Sequence, residues 1–461
     1  MRTVMRALVA LALASALTAA LLAPAGIGNA APRAGALTFA KPVALDSFAP
    51  LRTVVGTVYS EQNGQNAPKH EWAGEPSIEV DSKGTIFVSG VCCVASASPV
   101  WYSTDGGKTF KEMSSQGHIR EYGVGSEGDI AYDDSGHVWF IDTYVPSLME
   151  TQWSDHGATW DRTTSTNGVV PALNDRPWTA WTKKGIYLYV NYGSWVMVYK
   201  STDDGLTWTS PGPMTWKGSF DSHPFWPGHI AANRKTGQVW AVGVNYVSPT
   251  DQQLISAVSA DGQTFKEIPV TKPERVGGFT GQFVGSTAID DAGNAYTTWA
   301  TYDNKGCSVY YGFYDVQDKS WHQVRVPTGQ GCATFPWIKA GADGKLALVW
   351  YQTDFDKKIP SVSASGSGYQ DAVPATAEWY AHVAAITNAR GPHPNFTMGE
   401  IPTNGPILVG PLGRELWDYF QVAIDPQGYI DVAFVKKFID GKPDSGPQTW
   451  FVKTTSGPRL R

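Results

Sequence analysis

The chain has 461 residues, a formal net charge of −6 and no block of basic residues, so it lacks the electrostatic signature of a nucleic-acid-binding protein. It contains 19 Trp, 48 Gly and 30 Pro, and aromatic residues make up 12% of it. Such a composition, divided into many short apolar runs, is typical of an all-β protein. Beyond residue 30 no apolar stretch approaches the roughly 18 residues that a membrane helix needs, so no membrane span is expected.

The first 30 residues have the pattern of a secretory signal peptide. Arg2 and Arg6 form a basic start, an apolar run follows from Ala7 to Leu22, and Gly28-Asn29-Ala30 provides small residues for cleavage. The sequence therefore predicts a secreted, extracellular protein in which residues 31–461 form a single domain, and we expect a monomer.

Four cysteines in an exported chain are available for disulfide formation. Cys307 and Cys332 lie on different predicted strands of one repeat, and we expect a disulfide between them. Cys92 and Cys93 are adjacent, which leaves open whether they bond to each other, pair elsewhere or stay free. No C-x-x-C spacing is present, so the sequence predicts no metal site and no cofactor, and it does not indicate Ca²⁺.

A short unit recurs along the chain: an apolar strand, a turn that ends in glycine, and a second apolar strand. The turn glycines are Gly84, Gly136, Gly185, Gly237, Gly293, Gly344 and Gly428. Units of about 50 residues match the four-stranded blades of a β-propeller. We therefore predict an all-β, seven-bladed β-propeller, with six blades as the alternative.

Two irregularities modify this repeat. The last spacing is longer than the others because it contains a polar stretch, roughly residues 356–377, that we interpret as a long loop. The seventh unit ends after its third predicted strand. We expect residues Phe39 to Tyr59 to supply the fourth strand, since this would close the ring and remove two sheet edges.

A second motif, S-x-D-x-G-x-T-[WF], follows the third strand of several units. It occurs in full at Ser103–Phe110 and at Ser201–Trp208. Asp155–Trp160 fits with Trp153 where serine is expected, and Ser259–Phe265 is one residue short. Aspartate and glycine favour tight turns for local reasons, so we interpret Asp105, Asp155, Asp203 and Asp261 as turn formers. The motif resembles the Asp-box (BNR) repeat of sialidase-like β-propellers, which implies that fold and places the boxes away from the active site.

Chemistry is expected where the innermost strands enter the sheets, because these entrances face the propeller axis. Aligning the seven units brings ionisable and aromatic residues together at one mouth: Glu75, Glu127, Asp129, Asp175, Arg176, His229, Asp418, Tyr419, Trp178 and Trp226. Such crowding perturbs pKa values and suits acid–base chemistry or the binding of a polar ligand.

The sialidase resemblance implies specific roles for these residues. Tyr419 would be the nucleophile, Glu127 or Glu75 would activate it, and Asp175 would be the acid/base. The arginines that clamp the substrate carboxylate would be Arg176, Arg414 and Arg120, because a guanidinium binds a carboxylate through two hydrogen bonds. The resemblance thus predicts an exo-sialidase-like glycoside hydrolase with a glycan substrate.

Two other functions remain open at this point. A uronate-polysaccharide lyase on the same fold would use His229 as base, Tyr419 as acid and Arg176 as neutraliser of the uronate. A non-catalytic propeller would bind carbohydrate or protein, with Trp178 or Trp226 stacking on sugar rings.

Overall fold

The computed structural model describes residues 36–45, 73–92, 98–115, 125–144, 148–155, 157–165, 174–192, 195–210, 226–248, 251–262, 264–275, 285–303, 306–353, 373–412, 416, 419–437 and 447–461. The described residues form strands and turns, with no helix that could span a membrane. Seven antiparallel sheets follow one another along the chain. The prediction of a seven-bladed β-propeller is confirmed, and the six-bladed alternative is wrong.

Strands are named A to D from the innermost strand outward. In blade 1 they are Ile78–Val80, Ile86–Ser89, Val100–Ser103 and Lys111–Glu112. In blade 2 they are Gly125–Tyr132, Val138–Tyr144, Leu148–Ser154 and Arg162–Ser165. Blade 3 has Asn174–Thr182, Gly185–Tyr192 and Trp195–Ser201. Blade 4 has Trp226–Ala232, Val239–Ser248, Asp251–Ser259 and Lys266–Pro269, with Glu274–Arg275 also paired to strand C.

Blade 5 has Thr287–Ile289, Ala295–Asp303, Gly306–Asp315 and Ser320–Arg325. Blade 6 has Cys332–Ala340, Leu346–Thr353, Glu378–Thr387 and Asn395–Glu400, with Leu408–Val409 also paired to strand C. Blade 7 has Gln421–Ile424, Ile430–Lys436 and Gln448–Lys453. Two short pairs complete the sheets: Ala73–Gly74 with Val91–Cys92, and Ser114–Ser115 with Thr159–Trp160.

The N-terminal segment closes the ring. Val43–Ala44 is strand D of blade 7 and pairs antiparallel with strand C, and Phe39 forms a further bridge to Thr454. The predicted donation of a strand by this segment is confirmed for the described residues, whereas residues 46–59 lie outside them. Because the first and last parts of the chain share one sheet, strand C of blade 7 is paired on both sides, and the outer edge of the blade is reduced to a two-residue strand.

The apolar core lies between blades. One cluster joins Trp139 and Ile141 of blade 2 to Leu188 and Tyr199 of blade 3, and each of these side chains is fully buried. Burial of a large apolar side chain contributes roughly 1.5–3 kcal/mol, so each blade is stabilised chiefly by its neighbours. A disulfide joins Cys307 on strand C of blade 5 to Cys332, the first residue of strand A of blade 6. The bond therefore links neighbouring blades rather than two strands of one repeat; the side chains of Cys92 and Cys93 lie outside the described residues.

The Asp boxes form the C–D turns of blades 1 to 4. In blade 3, Asp203 accepts hydrogen bonds from the Thr207 amide and hydroxyl and from the Ser201 hydroxyl, and Ser201 accepts one from the Gly205 amide. The blade 2 box is shorter than expected, because Ser154 rather than Trp153 takes the serine role and accepts from the Gly157 amide at 2.8 Å. The same short form occurs at Ser259 and Gly262.

These hydrogen bonds stabilise the carboxylate form of the box aspartates. Burial alone would raise the pKa of Asp105, but hydrogen bonds from Thr109, Ser103 and the Lys108 amide lower it to about 2. Burial would also raise the pKa of Asp203, but hydrogen bonds from Thr207 and Ser201 lower it. Asp105 and Asp203 are therefore ionised turn formers, in agreement with their interpretation from the sequence.

Each box glycine packs against the preceding blade. A Cβ on Gly262 would lie 2.0 Å from the Tyr187 ring of blade 3, and one on Gly157 would lie 2.6 Å from Phe87 of blade 1. Gly107 and Gly205 meet Phe451 and Thr151 in the same way. The glycine of the motif is thus required at the joint between blades as well as by its positive φ.

Substituting Gly262 by alanine tests this joint. Gly262 has φ +73°, and Gly106 has φ +76° with no heavy atom within 4 Å of its would-be Cβ. We expect Gly106→Ala to cost about 1 kcal/mol of unfolding free energy through backbone strain alone, and Gly262→Ala to cost about 2 kcal/mol more because the Tyr187 ring must move. Chemical denaturation measures both. Equal losses in the two variants would show that the inter-blade contact is unimportant.

Candidate functional site

Among the described residues, strand A carries an extra residue at a similar level in five blades. In blade 3, Asp175 pairs with Asn191 and Trp178 with Tyr189, so strand A advances three residues while strand B advances two. The corresponding shifts in blades 4 and 6 lie between Pro227 and Ile230 and between Thr334 and Trp337. Blades 1 and 2 show the same excess, at residues 74–78 and 125–128. Bulges re-aim side chains and are common next to active sites.

The bulges lie where the sequence alignment places the mouth, and four of these blades have an X-Pro pair within the bulge or directly before it. These pairs are Glu75-Pro76, Arg176-Pro177, Trp226-Pro227 and Phe335-Pro336. Proline cannot donate to a strand ladder and is found in sheets mainly at edges and bulges. The recurring proline was a sequence signal for the bulge that the sequence analysis missed.

Glu75 is the most constrained residue of this ring. It is 1% exposed and has φ 43°, the left-handed region that non-glycine residues rarely adopt. Phe335, at the equivalent place in blade 6, has φ 50°. Both precede a proline, which normally holds the preceding residue in an extended conformation. Backbone strain of this kind costs about 1–3 kcal/mol and clusters at functional sites.

An aromatic layer crosses the axis just below the bulges and consists of Trp178, His229, Trp337 and Tyr419. The Trp178 ring centroid lies 5.3 Å from His229, 5.2 Å from Trp337 and 4.8 Å from Tyr419. Trp337 also contacts His229 at 4.9 Å and stacks on Tyr419 at 5.4 Å. Tyr419 is 4% exposed, so two indoles fix the orientation of its ring.

Residues at the level of this layer also tie neighbouring blades together. Ser286 of blade 5 accepts from the Ile338 amide of blade 6 at 2.7 Å. Gln421 of blade 7 accepts from the Ile78 amide of blade 1 at 3.2 Å. These bonds satisfy backbone groups of strand A that have no partner within their own blade.

Asp129 and His229 are two ionisable residues at or beside the aromatic layer. Asp129 accepts from the Thr179 amide at 2.8 Å and from its hydroxyl at 3.1 Å, which joins blades 2 and 3. His229 Nδ1 lies 3.2 Å from the Thr287 carbonyl oxygen, which can only accept, so Nδ1 carries the proton. Burial lowers the pKa of His229 to about 3, with a contribution from the charge of Lys339. The imidazole is therefore neutral near pH 7, and Nε2 is an acceptor.

Asp129 makes stability depend on pH. Burial, opposed by the Thr179 amide and reinforced by the charge of Glu79, raises the pKa of Asp129 from 3.8 to about 7. Because the folded pKa exceeds the unfolded one, the penalty is absent below about pH 4 and complete above about pH 7. Asp129→Asn retains an acceptor for Thr179 but carries no charge. As the pH rises from 5 to 8, we expect its unfolding free energy to increase by about 2–3 kcal/mol relative to that of the parent. Unfolding free energies at several pH values test this, and a pH-independent difference would contradict it.

The predicted site residues separate into three groups. Glu75 lies at the mouth, Trp178, His229 and Tyr419 form the aromatic layer, and Asp129 lies beside that layer. Glu127, Asp175, Arg176 and Trp226 lie on strand A of blades 2, 3, 3 and 4, but their side chains are outside the described residues. Arg120, Arg414, Asp418 and most of residues 356–377 are also outside them.

A cavity of about 490 Å³, the turn-side cavity, opens at the other end of the axis among the A–B turns. His229 and Trp337 form its roof, and Glu79, Lys339 and Gln421 line its wall. Lys339 Nζ lies 2.5 Å from Glu79 Oε1 and so joins blades 6 and 1. Asp129 and His229, which the sequence predicted at the mouth, line this cavity instead. Glu79 and Lys339, charged residues within apolar strand-A patterns, could have indicated a site here.

No family model matches the chain, and no curated protein sequence matches it. Similar folds occur among solved structures. An α-L-arabinofuranosidase from Fusarium graminearum in complex with an iminosugar inhibitor is 13% identical with a TM-score of 0.46, and the match covers 90% of this chain and 98% of that one. A polysaccharide lyase is 10% identical with a TM-score of 0.47, covering 82% and 89%. The intramolecular trans-sialidase from Ruminococcus gnavus is 12% identical with a TM-score of 0.42, covering 85% and 96%.

Proposed function

We propose that the protein is a secreted glycan-active enzyme, a glycoside hydrolase of the exo-sialidase-like type, whose reaction takes place at the mouth. The proposal rests on the environment of Glu75. Its carboxyl group is buried, and its backbone is left-handed although the next residue is a proline. In the alignment of the turn glycines, Tyr419 is the equivalent residue of the neighbouring blade 7. A carboxyl group and a phenol directly before the innermost strands of adjacent blades are a base and a nucleophile of suitable types.

In this proposal Tyr419 attacks the anomeric carbon while Glu75 accepts the phenolic proton. The contacts of Tyr419 with Trp178 and Trp337 support the role, because a ring held between two indoles is pre-organised for attack. A neutral nucleophile also avoids charge repulsion with an anionic sugar. Asp175, on strand A of blade 3, is the proposed acid that protonates the leaving group, and Arg176 beside it the proposed clamp for a carboxylate.

The hydrolase is favoured over the lyase by the environment of His229. A lyase would need His229 as a base, but its pKa is lowered to about 3 and its ring lies in the roof of the turn-side cavity. A neutral, weakly basic imidazole facing away from the mouth is poorly suited to proton abstraction there.

Activity on a panel of aryl glycosides, including sialosides and arabinofuranosides, and on uronate polysaccharides tests the proposal. We expect release of the aryl group from at least one glycoside and its loss in Tyr419→Phe, which retains the ring packing. Tyr311→Phe is a matched control, since Tyr311 is a fully buried tyrosine on strand C of blade 5 whose hydroxyl donates to the Ala389 carbonyl of blade 6. Appearance of unsaturated uronate would move the assignment to a lyase. Glycan binding without turnover would leave a binding propeller.

A further inference from the structure

We propose that the turn-side cavity is a second ligand site, distinct from the mouth, and that it binds a small neutral polyhydroxylated molecule such as a monosaccharide or an alditol. The volume of about 490 Å³ lies within the roughly 300–1,000 Å³ typical of small-molecule sites. The aromatic layer separates this cavity from the mouth, because His229 and Trp337 line the cavity, whereas Trp178 and Tyr419 pack against them and are not part of its lining.

Gln421 points to a ligand rather than to a merely structural channel. Its side chain is 4% exposed and lines the cavity, and its Oε1 accepts a hydrogen bond from the Ile78 amide. Its Nε2 has no hydrogen-bond partner among the described residues. A buried amide donor without a partner costs about 1–3 kcal/mol as a rule, so an acceptor supplied from the cavity would be favoured.

The polar groups of the wall define the class of ligand. Gln421 Nε2 and the ammonium of Lys339 are donors, whereas His229 Nε2 and the carboxylate of Glu79 are acceptors. A hydroxyl group can donate and accept, so a polyol satisfies such a mixed wall better than a ligand with only one type of group. Trp337 adds an apolar face to the roof.

The charges of the cavity argue against an ionic ligand. Carboxyl and cationic side chains line it in nearly equal numbers, six and five. Several are already paired: Lys339 with Glu79, Arg234 with Asp134 at 2.9 Å, and Arg461 with Asp291 at 3.1 Å. A neutral ligand leaves these pairs intact, whereas an ion that binds beside Lys339 and Glu79 would have to compete with the pair they form.

Small side chains create the space. Ala180 and Ala231 lie two residues beyond Trp178 and His229 on their strands, both line the cavity, and both are partly exposed to it. A bulky side chain at either position would fill the cavity without removing any of the polar contacts described above. Ala231→Phe is therefore a steric block, and Ala375→Phe is its matched control because Ala375 is exposed on blade 6.

Ligand-observed NMR and calorimetry on the full mature protein test the site, with glucose, galactose, arabinose and sorbitol as neutral probes, glycine as a zwitterion and glucuronate as an anion. We expect at least one neutral probe to bind with a Kd on the order of 1 mM. Ala231→Phe should weaken binding by about tenfold or more, and Ala375→Phe should not change it. Glu75→Gln should also leave binding unchanged, since Glu75 lies beyond the aromatic layer.

The outcomes separate this site from the mouth. Binding that survives Ala231→Phe but is lost in Glu75→Gln would assign the ligand to the mouth and overturn the second site. It would not contradict the proposed hydrolase function. Binding of glycine or glucuronate alone would overturn the ligand class. Absence of binding by all the neutral probes would overturn the proposal, whatever the activity of the enzyme.

Discussion

Replacing Glu75 by glutamine should lower kcat about 10²–10⁴-fold while changing KM little. Glutamine has nearly the same shape as glutamate and tolerates the same backbone, but it cannot accept the phenolic proton of Tyr419. A loss of this size is typical when a positioned general base is removed. Steady-state kinetics on the best substrate of the glycoside panel measures it. Equal melting temperatures of the variant and the parent would show that the fold is intact.

Glu79→Gln is the matched control for Glu75→Gln. Both glutamates belong to the innermost segment of blade 1, four residues apart, but Glu79 lies on the turn side of the aromatic layer, where it pairs with Lys339. Because both side chains of that pair are partly exposed, we expect Glu79→Gln to retain kcat within about twofold. Loss of activity in Glu79→Gln with retention in Glu75→Gln would place the reaction in the turn-side cavity and contradict the proposed mouth.

The fold could be predicted from the sequence because its signals are local and repeated. Turn glycines such as Gly84 and Gly136 have positive φ in the structure, and the Asp boxes at Ser103 and Ser201 make the hydrogen bonds that their spacing predicts. Ring closure also followed from a count of strands, since an open seventh blade would expose two edges.

The site could be predicted only in part. Trp178 and His229, which the alignment brought to one mouth, contact each other in the structure, because identical strand geometry keeps equivalent residues at equivalent heights. It treated that level as open, although the two rings meet Trp337 and Tyr419 across the axis and close it. Contacts of this kind depend on how far seven strands lie from the axis, a quantity that no local pattern contains. The bulges were equally hidden, since only the prolines marked them.

The turn aspartates were a further signal that was available in the sequence. Asp81, Asp133, Asp290 and Asp425 each stand three residues before a turn glycine. In the structure each accepts backbone amides of its own A–B turn, as Asp133 does from Ser135, Gly136 and His137. An aspartate at a fixed offset from glycine is an Asx turn, and this offset would have fixed the turn geometry in advance.

Replacing Asp290 by alanine should cost about 4 kcal/mol of unfolding free energy, the largest loss expected for one turn aspartate. Asp290 Oδ1 accepts from the amides of Ala292 and Asn294, and Oδ2 accepts from the Tyr296 hydroxyl and from the Gly344 amide of blade 6. Each buried donor left without a partner costs about 1–3 kcal/mol, partly offset by water that enters the turn.

Asp81→Ala is the comparison for this loss. Asp81 accepts from the amides of Lys83 and Thr85 within its own turn. We expect it to cost only about 1–2 kcal/mol, because neither amide belongs to another blade. Denaturant unfolding at pH 7 measures both variants. A loss in Asp290→Ala no greater than that in Asp81→Ala would mean that the Gly344 and Tyr296 contacts add nothing. Since the Gly344 contact crosses from blade 5 to blade 6, a larger loss would show that the turn aspartates hold neighbouring blades together as well as shaping their own turns.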